Sequence, residues 1–273
     1  MKSRIFLGLS IIVLMLSSCQ KDEVSNLYYP NEGSIGFDIS TGKTRADISD
    51  LFVLLSDPNG FGVYATNGPS SALFIDNGKY KYNTLAEKWI WEGKTRIWPD
   101  EEDEDNYPIH FFAYYPFSSI DLGTSLKHEH TVAKTPEEQL DLLAAKQKGV
   151  DVRPESNNVT LSFKHILSKI DFKVITREDV TVEVQSIAVR HVGEKGTFDY
   201  SELIWEKSPE EFKTEYDFMK APVKEDNIFV GSTVAKEVKG SSGSLMLMPQ
   251  NLKDRAWDKT IANLPHLSYI EVV

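Results

Sequence analysis

The sequence contains a single cysteine, Cys19, in 273 residues. A lone thiol cannot form an internal disulfide, so disulfide bonds are excluded as a source of stability. Also absent are a Gly-x-Ser-x-Gly nucleophile motif, a glycine-rich phosphate loop and a His-Glu-x-x-His metal motif. We therefore predict that the chain is not an enzyme and that it needs no cofactor.

The apolar run near the start of the chain is too short to cross a bilayer as a helix, which takes about 20 residues. Residues 5–16 form this run, which follows the basic residues Lys2 and Arg4. A basic start and a short apolar core are typical of a secretory signal peptide, which we assign to residues 1–18. Its removal changes the net charge from −11 to −13, because it carries two basic residues and no acidic ones. Phosphate groups repel so acidic a chain, and we predict no nucleic-acid partner.

The residues around Cys19 suggest an anchor. Leu16, Ser17 and Ser18 precede the cysteine, and the four residues resemble a bacterial lipobox. In such signals the leader is cut before the cysteine, whose thiol is then acylated. The resemblance implies that Cys19 is the lipidation site and that its acyl chains hold the protein in the outer membrane. Such an anchor is firm, because each buried methylene of an acyl chain contributes about 0.8 kcal/mol.

A polar segment follows the cysteine, and we assign residues 19–34 to a lipidated tether. The segment begins with Gln20, Lys21, Asp22 and Glu23, which resemble a surface-export signal of Gram-negative lipoproteins. The resemblance implies a surface-exposed lipoprotein of the cell outer membrane. A solvated tether without an export function would have the same composition.

Strand patterns dominate the rest of the chain and predict an all-β fold. Residues 150–158 are the most loop-like stretch, and we expect them to divide an N-terminal β-sandwich domain, residues 35–155, from a C-terminal one, residues 156–273. Residues 79–82 and 88–91 are expected to pair around Asn83 and Thr84. The predicted strands cover residues 34–39, 51–55, 61–65, 79–82, 88–91, 109–115, 159–163, 169–174, 180–184 and 267–273.

One short helix is predicted between Thr135 and Gly149. Thr135 is a suitable N-cap and Pro136 suits the first helical position. Leu140, Leu143 and Ala144 follow at the i, i+3, i+4 spacing of one helix face.

Two groups of residues resemble metal ligands, and we assign neither to a metal site. His128 and His130 share one face of a strand, but the sequence offers no third ligand near them. Residues 100–105 are six consecutive acidic residues that lack the glycine and the spacing of a calcium loop. Loop histidines and a solvated acidic loop are the favoured interpretations.

Three stretches together resemble the fimbrillin family, the lipoprotein subunits of donor-strand (type V) pili. They are Ile-Trp-Pro at 97–99 with His-Phe-Phe-Ala-Tyr-Tyr-Pro at 110–116, Asp-Leu-Leu-Ala-Ala at 141–145 with residues 161–170, and Leu-Met-Leu-Met-Pro-Gln at 245–250 with Tyr-Ile-Glu-Val at 269–272. The resemblance implies two transthyretin-like β-sandwich domains. It also implies a fimbrial subunit, anchor or tip component that joins other subunits by donor-strand exchange and contributes to adhesion to a host surface or glycan.

Thr44, Arg45 and Ala46 resemble the family's maturation point, where an arginine-specific protease removes the leader and the first strand. The strand removed here would be residues 34–39. The groove that it leaves would be filled by a strand of the next subunit. An uncleaved loop arginine is the alternative.

A surface glycan-binding lipoprotein is the alternative function. Tryptophans 89, 91, 98, 205 and 257 could stack on sugar rings if they were exposed and coplanar, whereas buried tryptophans would favour the fimbrial interpretation.

The C-terminal domain is expected to be short of strands, because residues 267–273 form a strand in which the sequence stops. Family members continue further. Either the coding sequence is truncated, or the protein is a terminal subunit that accepts a strand without donating one.

Overall fold

The protein is all-β, as the sequence predicts, and forms a β-sandwich. The structure, a computed structural model, describes residues 33–41, 54–68, 71–93, 96–102, 104–206, 213–220, 227–231, 233–240, 243–252 and 267–273. Within these ranges, no helix is long and apolar enough to span a membrane.

The nineteen strands described are β1 Gly36–Thr41, β2 Phe61–Asn67, β3 Ala72–Asn83, β4 Lys88–Trp91, β5 Ile109–Tyr115, β6 Lys127–Thr131, β7 Leu143–Val150, β8 Asn158–His165, β9 Ser168–Ile170, β10 Lys173–Val174, β11 Thr181–Glu183, β12 Ile187–Val192, β13 Lys195–Asp199, β14 Ile204–Trp205, β15 Thr214–Met219, β16 Ile228–Val230, β17 Lys236–Glu237, β18 Leu245–Leu247 and β19 Tyr269–Val272.

The largest sheet has seven strands in the order β1-β8-β7-β5-β2-β3-β4. Its neighbouring strands are antiparallel except β1 and β8, which are parallel. The predicted hairpin is confirmed, since β3 and β4 pair Tyr80 with Trp91 and Tyr82 with Trp89.

β5 lies in the middle of this sheet and is buried on both faces. Phe111 and Ala113 belong to a cluster that we call the first core, the buried side chains around Phe37 and Phe163. Phe112 points to the opposite face and belongs to a different cluster. The alternation follows because successive side chains of a strand point to opposite faces.

The later strands surround a second core, which includes the buried side chains of Ile187, Val189, Tyr216 and Phe218. One three-stranded antiparallel sheet has the order β15-β12-β19. Three two-stranded antiparallel pairs, β9–β18, β10–β17 and β11–β16, contribute further residues to this core.

A third cluster, the junction cluster, joins the outer face of the seven-stranded sheet to the sheet β14-β13-β6. It includes Tyr114 from the first sheet, Phe198 from β13 of the second, and Tyr200, which directly follows β13. The rings of Tyr114 and Tyr200 meet edge-to-face with centroids 6.1 Å apart. The indole N–H of Trp205 donates a hydrogen bond of 2.8 Å to the carbonyl of Ile166. The central strands are therefore covered on both faces, which accounts for their continuous apolar runs.

The predicted helix after Thr135 is wrong. Between residues 135 and 149, all of which the structure describes, only Pro136–Glu138 are helical, as one 3-10 turn, and Thr135 makes no side-chain capping hydrogen bond. Leu143 and Ala145 instead pack in the first core, and Ala144 packs in the junction cluster. A strand buried on both faces has a continuous apolar run, and such a run can also match helical spacing.

Two of the predicted strands differ from the structure. Residues 54–56 are helical rather than extended, and residues 51–53 lie outside the described residues. Residues 169–174 form two strands, β9 and β10, instead of one, with a break at residues 171–172.

The predicted division at residue 155 stays a prediction. β8 pairs with β1 and β7, and its buried residues Val159, Leu161 and Phe163 belong to the first core. β6 pairs with β13 across the predicted boundary. The pairings of β8 place residues 158–165 with the first sheet, on the N-terminal side of any such division.

Candidate functional site

β1 lies at the edge of the seven-stranded sheet and is bonded to β8 through its main chain. The amide of Gly36 donates to the carbonyl of Asn157 at 3.0 Å. Because alternate residues of a parallel strand bond to the same neighbour, the amides of Asp38 and Ser40 also face β8. β1 therefore depends on a strand that lies more than a hundred residues later in the sequence.

The chain just before β1 is bonded to a different part of the sheet. The amide of Ile35 donates to the carbonyl of Arg96 at 2.9 Å, and the amide of Trp98 donates to the carbonyl of Gly33 at 2.9 Å. Residues 96–98 follow β4, the opposite edge of the seven-stranded sheet. Residues 33–41 thus connect the two edges of the sheet.

Phe37 is the main side-chain anchor of β1. It is 3% exposed. Its ring meets those of Tyr80, Phe111 and Phe61 edge-to-face, at centroid distances of 4.7, 5.7 and 6.1 Å. Burial of such a side chain stabilises the fold by about 1.5–3 kcal/mol relative to exposure. Loss of β1 would leave an apolar groove lined by these rings.

The period-two pattern of the sequence places the anchors of β1 on one side. Ile35 is buried in the first core and Ile39 packs partly against it. On the other side of the strand, Asp38 accepts a hydrogen bond of 2.9 Å from the side-chain amide of Asn158. The hydroxyls of Ser40 and Ser162 are 2.8 Å apart. β1 therefore has an apolar inner face and a polar outer face, as a strand at the rim of a sandwich requires.

Tyr80 lies beneath β1 and carries a buried hydroxyl. Among the described residues its hydroxyl has no hydrogen-bond partner, and the residue is 1% exposed. Burial raises the pKa of Tyr80 above its ordinary value, so the phenol stays neutral. The groove is thus uncharged where Phe37 enters it.

The ionisable groups near the sheet ends have structural partners. His165 Nδ1 is 2.8 Å from the carboxylate of Asp141, beside the start of β7. His130 on β6 lies with Nε2 2.8 Å from the hydroxyl of Tyr200. Burial and the neighbouring His128 lower the pKa of His130 to about 4, so its imidazole is neutral at pH 7.

The two candidate metal groups remain incomplete in the structure. The rings of His128 and His130 are close, with centroids 4.8 Å apart. Among the described residues, however, no group of three potential ligands could hold a metal ion. Asp103, within the acidic run at residues 100–105, lies outside the described residues.

The tryptophans do not form an exposed platform in the described part of the chain. Trp89 and Trp98 are buried in the first core, at 8% and 6% exposure. Trp91 and Trp205 are partly buried and pack against core clusters. Trp257 lies outside the described residues. This distribution favours a structural role over sugar stacking.

The predicted processing residues also lie outside the described residues. They are the lipidation site Cys19, the export residues Gln20, Lys21, Asp22 and Glu23, and the maturation residues Arg45 and Ala46. Each stays a prediction.

The partners of β1 could not be predicted from the sequence. The alternation of residues 34–39 predicted the strand, but only the fold shows that it pairs with β8 and that Phe37 enters a ring of aromatic side chains. The aromatic residues at 61, 80 and 111 were visible in the sequence, although their spacing carries no information on which strands meet.

The chain matches the fimbrillin-like family over residues 44–264, which is well over half of its length. It therefore belongs to the fimbrillin-like family.

The chain is also similar to solved structures of proteins from Bacteroides species. A candidate cell adhesion protein from Bacteroides uniformis has 18% sequence identity and a TM-score of 0.47, with 80% of this chain and 76% of that chain covered. One from Bacteroides ovatus has 14% identity and a TM-score of 0.44, with 78% and 85% covered. A fimbrial protein from Bacteroides ovatus has 15% identity and a TM-score of 0.34, and the match covers 80% of this chain but 46% of that protein. No curated protein matches the chain.

Proposed function

We propose that this protein is a structural component of a surface fimbria, either a subunit of the fibre or its anchor or tip, and that it takes part in adhesion. Membership of the fimbrillin-like family over residues 44–264 is the observation that carries this proposal. The packed, uncharged first core and the buried tryptophans are consistent with a structural role.

Subunits join by exchange of the strand at the β1 position. Cleavage between Arg45 and Ala46 would separate β1 from the rest of the chain, leaving it held only by non-covalent contacts. An incoming strand would have to bond to the main chain of β8 and place an apolar side chain among Phe61, Tyr80 and Phe111. An unfilled groove would expose both an apolar surface and a free strand edge, which favours its prompt occupation.

The protein is held at the outer membrane through acylated Cys19 and faces outward by means of residues 20–23. Substitution of Cys19 by serine should move the protein from the membrane fraction to the soluble fraction, because the acyl chains are then missing. Ser25→Ala in the same tether is the matched control and should leave the partition unchanged. Retention of the Cys19→Ser protein in the membrane fraction would rule out this anchor.

The proposed function is tested by electron microscopy of cells with and without the gene, using gold-labelled antibodies against the chain. We expect gold on surface fibres, and fewer, shorter or detached fibres without the gene. Gold spread over the membrane with unaltered fibres would contradict the proposal. Arg45→Ala should leave the unprocessed form on a denaturing gel, whereas the exposed control Arg177→Ala should be processed normally.

A further inference from the structure

Among the described strands, β19 at the edge of the second core has one main-chain edge without a partner strand, and it carries exposed apolar side chains. β19 pairs with β12 on one side, and in the described part of the chain no strand pairs with its other side. Ile270 and Val272 are 57% and 59% exposed. Exposed apolar side chains on an open edge are what stable soluble proteins avoid, because such an edge binds other strands.

The exposed residues of β19 lie on the side of the sheet that faces the core. Residues directly opposite each other in an antiparallel pair share a face. Ile270 is opposite Val189 and Val272 is opposite Ile187. Val189 and Ile187 are buried, at 5% and 2% exposure. On this side of the sheet, other side chains therefore cover the residues of β12 but leave those of β19 exposed to solvent.

The opposite edge of the same sheet is built differently. The core-facing residues of β15, Tyr216 and Phe218, are 0% and 3% exposed. Charged Glu215 and Asp217 alternate with them, as is usual for a protected edge. Being an edge strand does not by itself explain the exposure of β19.

The free main-chain groups of β19 belong to the same two apolar residues. Val273 and Ser186 exchange both of their hydrogen bonds, so they form a hydrogen-bonded pair. Such pairs alternate along an antiparallel ladder, and the next one is Glu271 with Ala188. The N–H and C=O groups of Ile270 and Val272 therefore point away from β12. A partner strand would bond to these groups and cover these side chains together.

The outer face of this sheet is acidic and indicates the charge of the partner. Glu271 and Glu215 each lie 2.7 Å from Arg190, and Asp217 lies 3.3 Å from it, so three carboxylates share this arginine. Lys220 adds one further positive charge at Asp217. The carboxylates still exceed the cations, which favours a basic partner and disfavours pairing between two acidic copies of this face.

We propose that the β19 edge binds an extended strand of another polypeptide, with apolar side chains at alternate positions and basic side chains between them. The apolar residues would cover Ile270 and Val272 on the core side, and the basic residues would lie beside Glu271 on the outer side. This site is separate from the β1 position, so the inference goes beyond the strand exchange proposed above.

The test measures binding of a short synthetic peptide, in which valine alternates with lysine, to the full-length chain with β1 in place. An N-methylated peptide of the same sequence keeps the side chains and the charge but cannot form the main-chain bonds. We expect the N-methylated peptide to bind at least about tenfold more weakly. A peptide with glutamate in place of lysine should also bind more weakly, and Glu271→Gln should reduce binding of the lysine peptide about twofold to threefold.

Two variants locate the site on the protein. Ile270→Pro removes a donor that points away from β12, so it should preserve the β12–β19 ladder and weaken peptide binding about tenfold. Ile270→Lys keeps the main-chain N–H donor and places a charge on the core side of β19. This variant replaces the proline variant if the latter fails to fold, and it should also weaken peptide binding. Leu85→Ala, at an 86% exposed residue far from β19 in the sequence, is the control and should bind normally.

Equal binding by the Ile270 variants and the unmodified chain would overturn the proposal, as would the absence of peptide binding. A dimer of the chain alone that the Ile270 variants abolish would identify a second copy as the occupant and would also overturn it. Because the assay needs neither cleavage nor fibres, its failure would leave the proposed fimbrial function unaffected, and failure of that function would not alter the peptide result.

Discussion

β1 and β19 are both edge strands, yet their environments differ. β1 buries Phe37 among three aromatic rings and connects both edges of its sheet. In the part of the chain that the structure describes, β19 bonds to β12 alone and leaves Ile270 and Val272 more than half exposed on the core side. The comparison shows that strand position alone does not determine whether an edge is closed. The packing of the alternate side chains and the free main-chain groups have to be considered together.

Removal of one apolar side chain from each strand should have the largest and most unequal effects. Phe37→Ala should destabilise the protein by about 3–5 kcal/mol, because it leaves a cavity between Tyr80 and Phe111. Ile270→Ala is the matched control and should cost no more than about 0.5 kcal/mol, since the side chain is already exposed. Urea unfolding followed by circular dichroism measures both values. Equal losses would contradict the described difference.

The second prediction concerns the loss of stability in acid that the buried His130 should cause, away from both edges. His130 lies on β6 in the sheet that contributes to the junction cluster, and burial lowers its pKa to about 4. The unfolded chain has a histidine pKa of about 6.5, so between these values it binds a proton that the folded chain does not. Stability is therefore complete above about pH 6.5 and falls as the pH drops towards 4, by about 2–3 kcal/mol from this residue.

The His130 effect is measured as the change in unfolding free energy between about pH 7 and pH 4.5. His130→Gln should show a smaller loss than the unmodified protein, because glutamine does not titrate. His128→Gln keeps His130 against Tyr200 and should retain most of the pH dependence. An identical pH dependence in all three proteins would show that His130 is not the responsible group.

The smallest effect is expected from the ion pairs of Arg190 on β12, which link this strand to β15 and to β19. Arg190→Ala removes the contacts with Glu215 and Glu271 and should cost about 1 kcal/mol, less at high salt. Arg177→Ala, an exposed arginine paired only weakly with Asp179 at 3.5 Å, is the control and should cost less than about 0.5 kcal/mol. Thermal unfolding at low and high salt measures both. A salt-independent loss would mean that Arg190 acts by packing rather than charge.

Local patterns predicted those parts of the fold that depend on one strand or one hairpin. β5 has the predicted bounds, and the β3–β4 pairing follows the turn around Asn83. Residues 140–145 were misassigned, because a strand covered on both faces loses its alternation. The parallel pairing of β1 with β8 and the exposure of Ile270 depend on contacts between distant residues, and no local spacing encodes them.

Amide hydrogen exchange of the intact chain, resolved by residue, tests the difference between the two edges most directly. We expect slow exchange at Asp38 and Ser40, because their amides face β8. We expect fast exchange at Ile270 and Val272, because their amides face away from β12. Glu271, bonded to β12, should exchange more slowly than its two neighbours. Equal protection of Ile270, Glu271 and Val272 would contradict the open edge, and rapid exchange at Asp38 and Ser40 would contradict the closed one.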